Sequence, residues 1–354
     1  MNKEFINILE KIENILNTAL PDTANSSWTR DAFGTIAPCI SQDHFVELIE
    51  PCKNLIKLGG KRWRPLLLVL CARLVSQSRK TDFDEKKAYS LTPLVEFAHN
   101  ASLIHDDIED SADTRRGKPC AHITYGMDRA INAGSWLYFE GATAILSGPF
   151  SDSEKLKLYE LFLRELRLLH LGQAMDIKWH RNKELIPTQD EYKAMVSNKT
   201  GTLARLAVEA GFFAGGASEK EILDAGKIAQ DIGVGFQIID DVTNLTTGNP
   251  GKKRGDDIVE GKKSLPVLIH LQNKPSDKKA LADLFSQAAA EGIDSPAVEK
   301  AIELLNSSGA VREAQKAGFE LAQTSAKKLA EFFGVKTEAG SLIEELFTKM
   351  LQPK

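Results

Sequence analysis

The sequence predicts an all-α protein, and three observations support that fold class. Apolar residues recur at three- and four-residue steps along most of the 354 residues, as on the buried face of an amphipathic helix. Segments with the apolar–polar alternation of a half-buried strand are absent. Polar or Gly/Pro-rich breaks recur at fairly regular intervals. We therefore expect a single helical domain over residues 1–354, without a domain linker.

The breaks define the order of the predicted helices. Between them, the segments LVEFAHNASLIHD, LYELFLRELRLLHLGQAM, EYKAMVSNKTGTLARLAVEAG, EILDAGKIAQDIGVGFQIIDD and LAQTSAKKLAEFFG all show helical periodicity. Thr92 and Pro93 suit an N-cap and a first helical residue for the segment LVEFAHNASLIHD. The breaks lie at 76–86, 117–119, 148–154, 180–190, 246–257, 273–278 and 306–309.

The first predicted helix is MNKEFINILEKIENIL, whose apolar residues share one face. Its acidic residues are untypical of a secretory signal. The longest apolar run, PLLLVLCA (65–72), is far shorter than the ~20 residues that span a bilayer. We therefore expect a cytoplasmic protein with no membrane span. Residues 21–43 are the least helical stretch and are expected to form a loop or an arm, so region 1–50 is the least defined.

Composition excludes some classes of partner and site. The net charge of −4 gives no general attraction to nucleic acid, so no nucleic-acid partner is expected. The four cysteines lie at irregular separations without a CxxC pair, which favours reduced thiols over zinc or disulfides.

The segment LIHDDIED (103–110) places four acids directly after an apolar helical run. Asp106 and Asp110 are one helical turn apart, so their like charges repel on one face. Acids also interact unfavourably with the negative end of a helix dipole. A divalent cation such as Mg²⁺ would relieve both effects. The alternative is a solvated surface turn, the more common role of an acid cluster.

A second acid pair favours the metal interpretation. In FQIIDDVTN (236–244), Asp240 and Asp241 also end an apolar helical run. Two such helices facing each other would place carboxylates on both walls of a cavity. Because Mg²⁺ in proteins often shares its coordination with phosphate oxygens, the predicted substrate is phosphorylated.

Basic residues suited to phosphate lie near both acid pairs. Each stretch alone is compatible with a solvated surface, but together they exceed what one diphosphate requires. The stretches are GGKRWRP (59–65), TRRGK (114–118), NKTG (198–201) and GKKRGDDIVEGKK (251–263).

These motifs, in this order, resemble those of the trans-isoprenyl (polyprenyl) diphosphate synthase family. The resemblance covers roughly Gly59 to Pro266, and DDIEDSADTRRGKPCAHITYGMDRAINA is most similar to geranylgeranyl diphosphate synthases of the eukaryotic type. It implies a bundle of long antiparallel helices around a deep central cavity, and a homodimer. It also implies an enzyme that condenses isopentenyl diphosphate head-to-tail with dimethylallyl, geranyl or farnesyl diphosphate.

The resemblance also implies roles for individual residues. Asp106 and Asp110 would bind two Mg²⁺ ions and Asp240 a third, and Mn²⁺ is an expected substitute. These aspartates and Lys199 are the expected catalytic residues. Asp107, Asp241 and Asn244 would be supporting or water-mediated partners, with Asn244 standing where most relatives carry an aspartate. The allylic diphosphate would be held by Arg115, Lys199, Thr200, Gln237, Lys252 or Lys253, and Lys262; isopentenyl diphosphate by Lys61, Arg64, His99 and Arg116. His105 is expected to be structural.

The residues before Asp106 bear on product length. Ala98, Ala101 and Ser102 are small, whereas aromatic residues here limit relatives to farnesyl diphosphate. Their absence favours geranylgeranyl diphosphate, with farnesyl or longer products as alternatives. Tyr138 and Phe139 could form a deeper floor.

Three other functions were compatible with part of the pattern. A class I terpene cyclase would have Glu at position 248, where this chain has Gly. An HD-type metal phosphohydrolase would use His105 and Asp106 but leaves the second acid pair unexplained. A non-catalytic subunit would be expected to lack one acid motif.

Overall fold

The computed structural model describes residues 2–182, 184–248 and 253–352. Helices dominate these residues, which confirms the all-α fold class. A π-helical turn (Ser197–Gly201) and a 3₁₀ turn (Pro275–Asp277) accompany them. The α-helices are α1 (Lys3–Ala19), α2 (Ser26–Phe33), α3 (Gln42–Lys57), α4 (Trp63–Arg79), α5 (Glu85–Ser90), α6 (Thr92–Glu109), α7 (Ala121–Tyr125), α8 (Met127–Gly141), α9 (Thr143–Leu146), α10 (Asp152–Arg181), α11 (Gln189–Val196), α12 (Thr202–Ala214), α13 (Glu219–Thr246), α14 (Asp256–Glu260), α15 (Leu265–Asn273), α16 (Lys278–Glu291), α17 (Pro296–Ser307), α18 (Ala310–Ala330) and α19 (Glu338–Leu351).

Three local features differ from the sequence-based expectations. The expected loop at 21–43 contains α2, which Asn25 caps by accepting the backbone N–H groups of Ser27 and Trp28. Thr92 is the first residue of α6 and not its N-cap, and its hydroxyl donates to the Tyr89 carbonyl. A short antiparallel hairpin joins β1 (Thr114–Arg115) to β2 (Lys118–Pro119), where no strand was expected.

The chain divides into two compact units. The first unit comprises residues 1–166, 205–226 and 329–346, and the second comprises 167–204, 227–328 and 347–354. The boundaries do not coincide with the sequence breaks, so local composition gives no sign of them. The prediction of one domain stays a prediction.

The core of the first unit is built around α4. No residue from Leu66 to Ala72 is more than 2% exposed, which explains why this helix has a continuous apolar sequence and not a stripe. Gly211 of α12 packs directly on it. A Cβ atom at position 211 would lie 2.8 Å from the Cβ of Cys71, so a larger side chain would push α4 and α12 apart.

The core of the second unit is formed by the end of α13 and by α15 to α18. Val234, Ile238 and Val242 of α13 are buried in one cluster with Phe285 and Ile302. This packing fixes the apolar side of the helix that carries the second acid pair.

No helix in the described parts of the chain is long and apolar enough to cross a membrane.

The first unit also contains a cavity of about 770 Å³ that is lined in part by Trp28, Tyr89 and Glu140. Glu140 on α8 is only 3% exposed, and burial raises the pKa of its carboxyl to about 8. The folded protein therefore favours the neutral acid, and folding becomes less favourable as pH rises from the ordinary value of 4.5 towards 8.

We predict that Glu140→Gln removes this pH dependence. Between pH 5 and pH 8 the free energy of unfolding should fall by about 1 to 3 kcal/mol more in the wild type than in the variant. Urea denaturation at several pH values measures the difference, with exposed Glu160→Gln as the control. Parallel pH profiles for all three proteins would contradict the prediction.

Candidate active site

The first acid motif forms the C-terminal end of α6 in the first unit. Asp106 and Asp110 are both half-buried, and the Asp110 backbone N–H donates to the Asp106 carbonyl at 2.8 Å. The turn is therefore helical, which places the two carboxylates on one face as the spacing predicts.

Asp107 has a different environment from its neighbours. It is 2% exposed and accepts two hydrogen bonds from Arg115, one from Nε at 2.8 Å and one from Nη2. Burial lowers the pKa of Arg115, but the hydrogen bonds and the charge of Asp107 outweigh it, so the net shift is upward. Arg115, which is predicted to hold diphosphate, lies on the hairpin, and its hydrogen bonds to Asp107 anchor it beside the acid motif.

The residues predicted to bind isopentenyl diphosphate gather in the first unit. The Arg64 Nη1 lies 3.3 Å from the His99 Nε2. Arg116 donates to the Gly59 carbonyl and lies against Gly60, where a Cβ would be 3.1 Å from the Arg116 Nη2. We call Arg64, His99 and Arg116 the cation cluster. Lys61, the fourth predicted residue, is exposed at the beginning of this segment.

The cation cluster is electrostatically unfavourable for positive charge. Burial and, to a smaller extent, the charge of Arg116 lower the pKa of Arg64 to about 10, and Glu96 offsets this only in part. Burial, followed by the charges of Arg64 and Arg116, holds the pKa of His99 well below its usual value. His99 is therefore neutral at pH 7. The buried Arg64 Nε has no hydrogen-bond partner within the described residues. Such a site is suited to an anion with several oxygen acceptors.

Arg62, which the sequence analysis did not assign, anchors this segment. It is 5% exposed and bonds Glu13 and Glu96, each at 2.7 Å, and the Ile56 carbonyl at 2.6 Å. Its backbone φ of 46° lies in the left-handed region, a strained conformation for arginine. These bonds hold the turn that presents Lys61 and Arg64.

The second acid motif lies near the end of α13 in the second unit. Asp240 is exposed, whereas Asp241 is 5% exposed and accepts hydrogen bonds from the Tyr192 hydroxyl at 2.7 Å and the Gln237 amide at 2.9 Å. Burial, together with the charge of Asp257, raises the pKa of Asp241 to about 7. Only Asp240 of this pair is accessible for a solvated ion.

Asn244 makes contacts within the protein that the sequence analysis did not predict. It is fully buried, and its Oδ1 accepts the Asp257 backbone N–H at 3.2 Å. Its own carbonyl accepts the Gly255 N–H at 2.9 Å. Asn244 therefore holds the segment after the second acid motif, and its supporting role at a metal stays a prediction.

Lys199 and Thr200 lie on the π-helical turn between α11 and α12. The Lys199 ammonium bonds the Asp176 carboxylate at 2.6 Å, and Thr200 donates to the Gln237 Oε1 at 2.8 Å. Gly172 of α10 permits this approach, because a Cβ there would overlap the Lys199 backbone nitrogen. The structure thus brings three predicted diphosphate ligands, Lys199, Thr200 and Gln237, into one group.

The remaining predicted cations are less closely grouped. Lys262 bonds Glu260 at 2.6 Å and lies 3.4 Å from Asp257. Lys253 pairs with Asp294 at 3.2 Å, and both side chains are exposed. Lys252 lies outside the described residues.

The predicted product-length residues divide into buried and exposed positions. Ala98 and Ala101 are fully buried, and Ser102 is half-buried with its hydroxyl on the His99 carbonyl at 2.8 Å. Tyr138 is 6% exposed and packs on His105, with ring centroids 5.7 Å apart. Phe139 is 74% exposed, which corrects the expectation that it shares a buried floor with Tyr138.

The accessible acids suit Mg²⁺ better than a metal whose coordination shell must be supplied entirely by protein side chains. Among the residues described, no three acidic, histidine or cysteine side chains form a ready metal site. Asp106, Asp110 and Asp240 offer only carboxylate oxygens and lie at or near the surface. Mg²⁺ uses few protein carboxylates and completes its shell with water or phosphate oxygens.

Asp176 and Tyr192 were also missed by the sequence analysis. Asp176 lies in the GQAMD motif and is 7% exposed; burial raises the pKa of its carboxyl, but Lys199 and Lys262 lower it more. The position of Asp176 in GQAMD (172–176), an acid at the end of a helical segment, was the sequence signal that could have identified it. Tyr192 lies inside an ordinary amphipathic pattern, where a buried aromatic residue is expected in any case.

The chain was compared with known proteins. Residues 46–305 match the Polyprenyl synthetase family. A geranylgeranyl pyrophosphate synthase of Gibberella zeae is 33% identical over 260 residues, which cover 73% of this chain and 66% of the relative. The match thus spans slightly less than two thirds of that fungal protein. A short chain isoprenyl diphosphate synthase of Methanocaldococcus jannaschii is 35% identical over 265 residues, covering 74% of this chain and 77% of the relative.

The fold agrees with these matches. The crystal structure of a geranylgeranyl pyrophosphate synthetase from Pyrococcus horikoshii superposes with a TM-score of 0.78 at 27% identity, covering 99% of this chain and 98% of that one. Motif order, family match and fold lead to one conclusion: the chain belongs to the polyprenyl synthetase family.

Proposed function

We propose that the protein is a prenyltransferase that condenses isopentenyl diphosphate with an allylic diphosphate to form an all-trans prenyl diphosphate. The cation cluster is the observation that carries this proposal. Arg64 and Arg116 are partly buried, repel each other and surround a neutral His99, so a diphosphate would supply the charge and acceptors they lack. A protein without an anionic ligand would gain nothing from this arrangement.

We further propose that the accessible aspartates bind Mg²⁺ for the allylic diphosphate. Asp106 and Asp110 serve in the first unit and Asp240 in the second. When bound, Mg²⁺ would withdraw electron density from the diphosphate and promote cleavage of the allylic C–O bond. The number of ions, expected to be three, and the substitution by Mn²⁺ remain predictions.

The chain's own side chains bind and orient the two substrates. Lys199, Thr200, Gln237 and Lys262 of the second unit hold the allylic diphosphate, which leaves with the electron pair of the C–O bond. The cation cluster holds isopentenyl diphosphate so that its double bond attacks the resulting allylic cation. The new cation then loses a proton, which the departing diphosphate accepts. No protein nucleophile is needed, and the apolar helices exclude water that would quench the cation.

Geranylgeranyl diphosphate is the proposed product. Ala98 and Ala101, about two turns and one turn before the first acid motif, are fully buried and small, whereas an aromatic side chain there would stop elongation early. The fungal relative's name agrees with this chain length. Farnesyl and longer diphosphates are the alternatives. A cytoplasmic location stays a prediction.

We also propose a homodimer. On α8, Met127, Ile131 and Phe139 recur at multiples of four residues and are between 45% and 74% exposed. On α10, Leu156 and Leu163 are seven residues apart and are 62% and 48% exposed. Large apolar residues in helical register at the surface are typical of a protein interface, and a second copy of the chain is the proposed partner.

The first prediction from the proposed function tests the reaction itself. With Mg²⁺, isopentenyl diphosphate and dimethylallyl, geranyl or farnesyl diphosphate, the enzyme should produce a longer linear prenyl diphosphate. Chromatography of the dephosphorylated products identifies the chain. Asp106→Ala and Asp240→Ala should each lower turnover at least ~100-fold with unchanged helicity, because each removes an oxygen ligand of Mg²⁺.

Other outcomes of the same assay would contradict the proposal. Free prenol from one substrate would indicate hydrolysis, and a cyclic hydrocarbon would indicate a cyclase. Near-normal turnover of either aspartate variant would refute the metal assignment. Asp283→Ala, at an exposed aspartate of α16, is the matched acid control.

The second prediction concerns product length. Ala101→Phe should shift the main product towards farnesyl diphosphate, because the ring occupies space needed by the growing tail. Tyr138→Ala should lengthen the product, whereas Phe139→Leu should leave it unchanged because Phe139 is exposed. Product chromatography measures all three. If Tyr138→Ala and Phe139→Leu behave alike, the floor lies elsewhere.

The third prediction concerns assembly. Phe139→Glu should shift the protein towards monomer in sedimentation velocity, because it places a charge in the proposed apolar interface. Leu223→Glu, at a 39% exposed leucine on α13, is the control and should remain dimeric. A wild-type monomer at micromolar concentration would contradict the proposal.

A further inference from the structure

The buried aspartate of the second acid motif is held by a side chain from another helix. Tyr192 on α11 is 1% exposed, and its hydroxyl donates to the Asp241 Oδ2 at 2.7 Å. The Gln237 Nε2 donates to the other oxygen, Oδ1, at 2.9 Å. Each carboxylate oxygen of Asp241 thus accepts a hydrogen bond from a protein side chain. The next residue before it in the chain is the exposed Asp240.

The hydrogen bonds continue beyond Asp241. Gln237 uses its amide nitrogen on Asp241 and accepts the Thr200 hydroxyl on its Oε1 at 2.8 Å. The orientation of the Gln237 amide is therefore set from both ends. Lys199, next to Thr200, bonds Asp176 at 2.6 Å. The chain from Tyr192 through Asp241 and Gln237 to Thr200 joins two helical segments that both carry predicted diphosphate-binding residues.

We propose that Tyr192 is a positioning residue of the metal-diphosphate site in the second unit: its hydroxyl fixes the Asp241 carboxylate, and so orients the Asp240 turn and the Gln237 amide. The expected effect of Tyr192 on kcat rests on the proposed function. The orientation of Asp241 and Gln237 depends only on the hydrogen bonds that these two residues make with each other and with Tyr192.

The physical reason lies in the cost of an unsatisfied buried acceptor. Without the tyrosine hydroxyl, the Asp241 Oδ2 would lose its donor in a nearly water-free position. The carboxylate would then rotate towards another donor or admit water. Either change breaks its bond with Gln237 or moves the last turns of α13. Residues that orient metal ligands in this way typically change metal affinity by about 10- to 100-fold when they are altered.

A role in packing alone is the competing explanation, and Tyr192→Phe separates the two. The variant keeps the buried ring and removes only the hydroxyl. We expect about a tenfold loss of Mn²⁺ affinity, measured by electron paramagnetic resonance of free Mn²⁺ in the presence of inorganic pyrophosphate. We expect a similar fall in kcat, with an unchanged KM for isopentenyl diphosphate because the cation cluster lies in the first unit.

A second variant tests whether the effect passes through Asp241. In an Asp241→Asn background, the buried charge is gone, so loss of the Tyr192 hydroxyl should cost much less Mn²⁺ affinity than in the wild type. Tyr159→Phe, on α10 in the first unit, is the control and should bind Mn²⁺ normally.

Two results would overturn the positioning role. One is a lower Tm for Tyr192→Phe with unchanged Mn²⁺ affinity and kcat, which is what packing alone predicts. The other is an equal loss of affinity in both Asp241 backgrounds. If Tyr192→Phe weakens Mn²⁺ binding as expected while the wild type makes no prenyl product, the positioning role stands and the proposed function fails.

Discussion

The concentration of positive charge around His99 is the constraint on which the rest of the site depends. Buried cations are unfavourable unless an opposite charge or several acceptors compensate them. Glu13 and Glu96 form ion pairs with Arg62, whereas the charge of Glu96 offsets the burial of Arg64 and Arg116 only in part. The described contacts of these two arginines are with His99, the Trp63 ring and backbone carbonyls. The first unit is thus prepared for an anion before any metal is bound. This is the central claim of the proposed function.

The two acid motifs share one arrangement of their aspartates but have different hydrogen-bond partners. In each, one aspartate of the pair is accessible and the other is buried and bonded within the protein. Asp107 is bonded by Arg115, and Asp241 by Tyr192 and Gln237. The second aspartate of each pair therefore attaches the helix end to the scaffold, and the proposed function assigns metal binding to the first. The partner of Asp107 is a charged arginine, whereas the donors to Asp241 are neutral, and burial with the charge of Asp257 raises the pKa of Asp241 to about 7.

Sequence reasoning was most successful where a motif combined chemistry with helical spacing. It predicted the helical class, the helix ending at the first acid motif and the group formed by Arg64, His99 and Arg116. It was wrong about the Thr92 cap by one residue, because the first residue of a helix is hard to read from sequence. It was also wrong about the floor at Phe139, because neighbouring helical residues point about 100° apart and a local pattern does not say which side another helix covers. It missed the hairpin, since two-residue strands have no periodicity. Tyr192 and Arg62 depend on partners 49 and 34 residues away, which no local pattern reveals.

The most direct test of the central claim is calorimetric titration of isopentenyl diphosphate into the protein with EDTA and with Mg²⁺. In the proposed function the cation cluster and not a metal binds this substrate, so its affinity should differ by less than about threefold between the two conditions. Arg64→Ala should weaken binding at least ~10-fold in both, a loss of about 1.4 kcal/mol. Binding that disappears in EDTA, or that survives Arg64→Ala unchanged, would contradict the account.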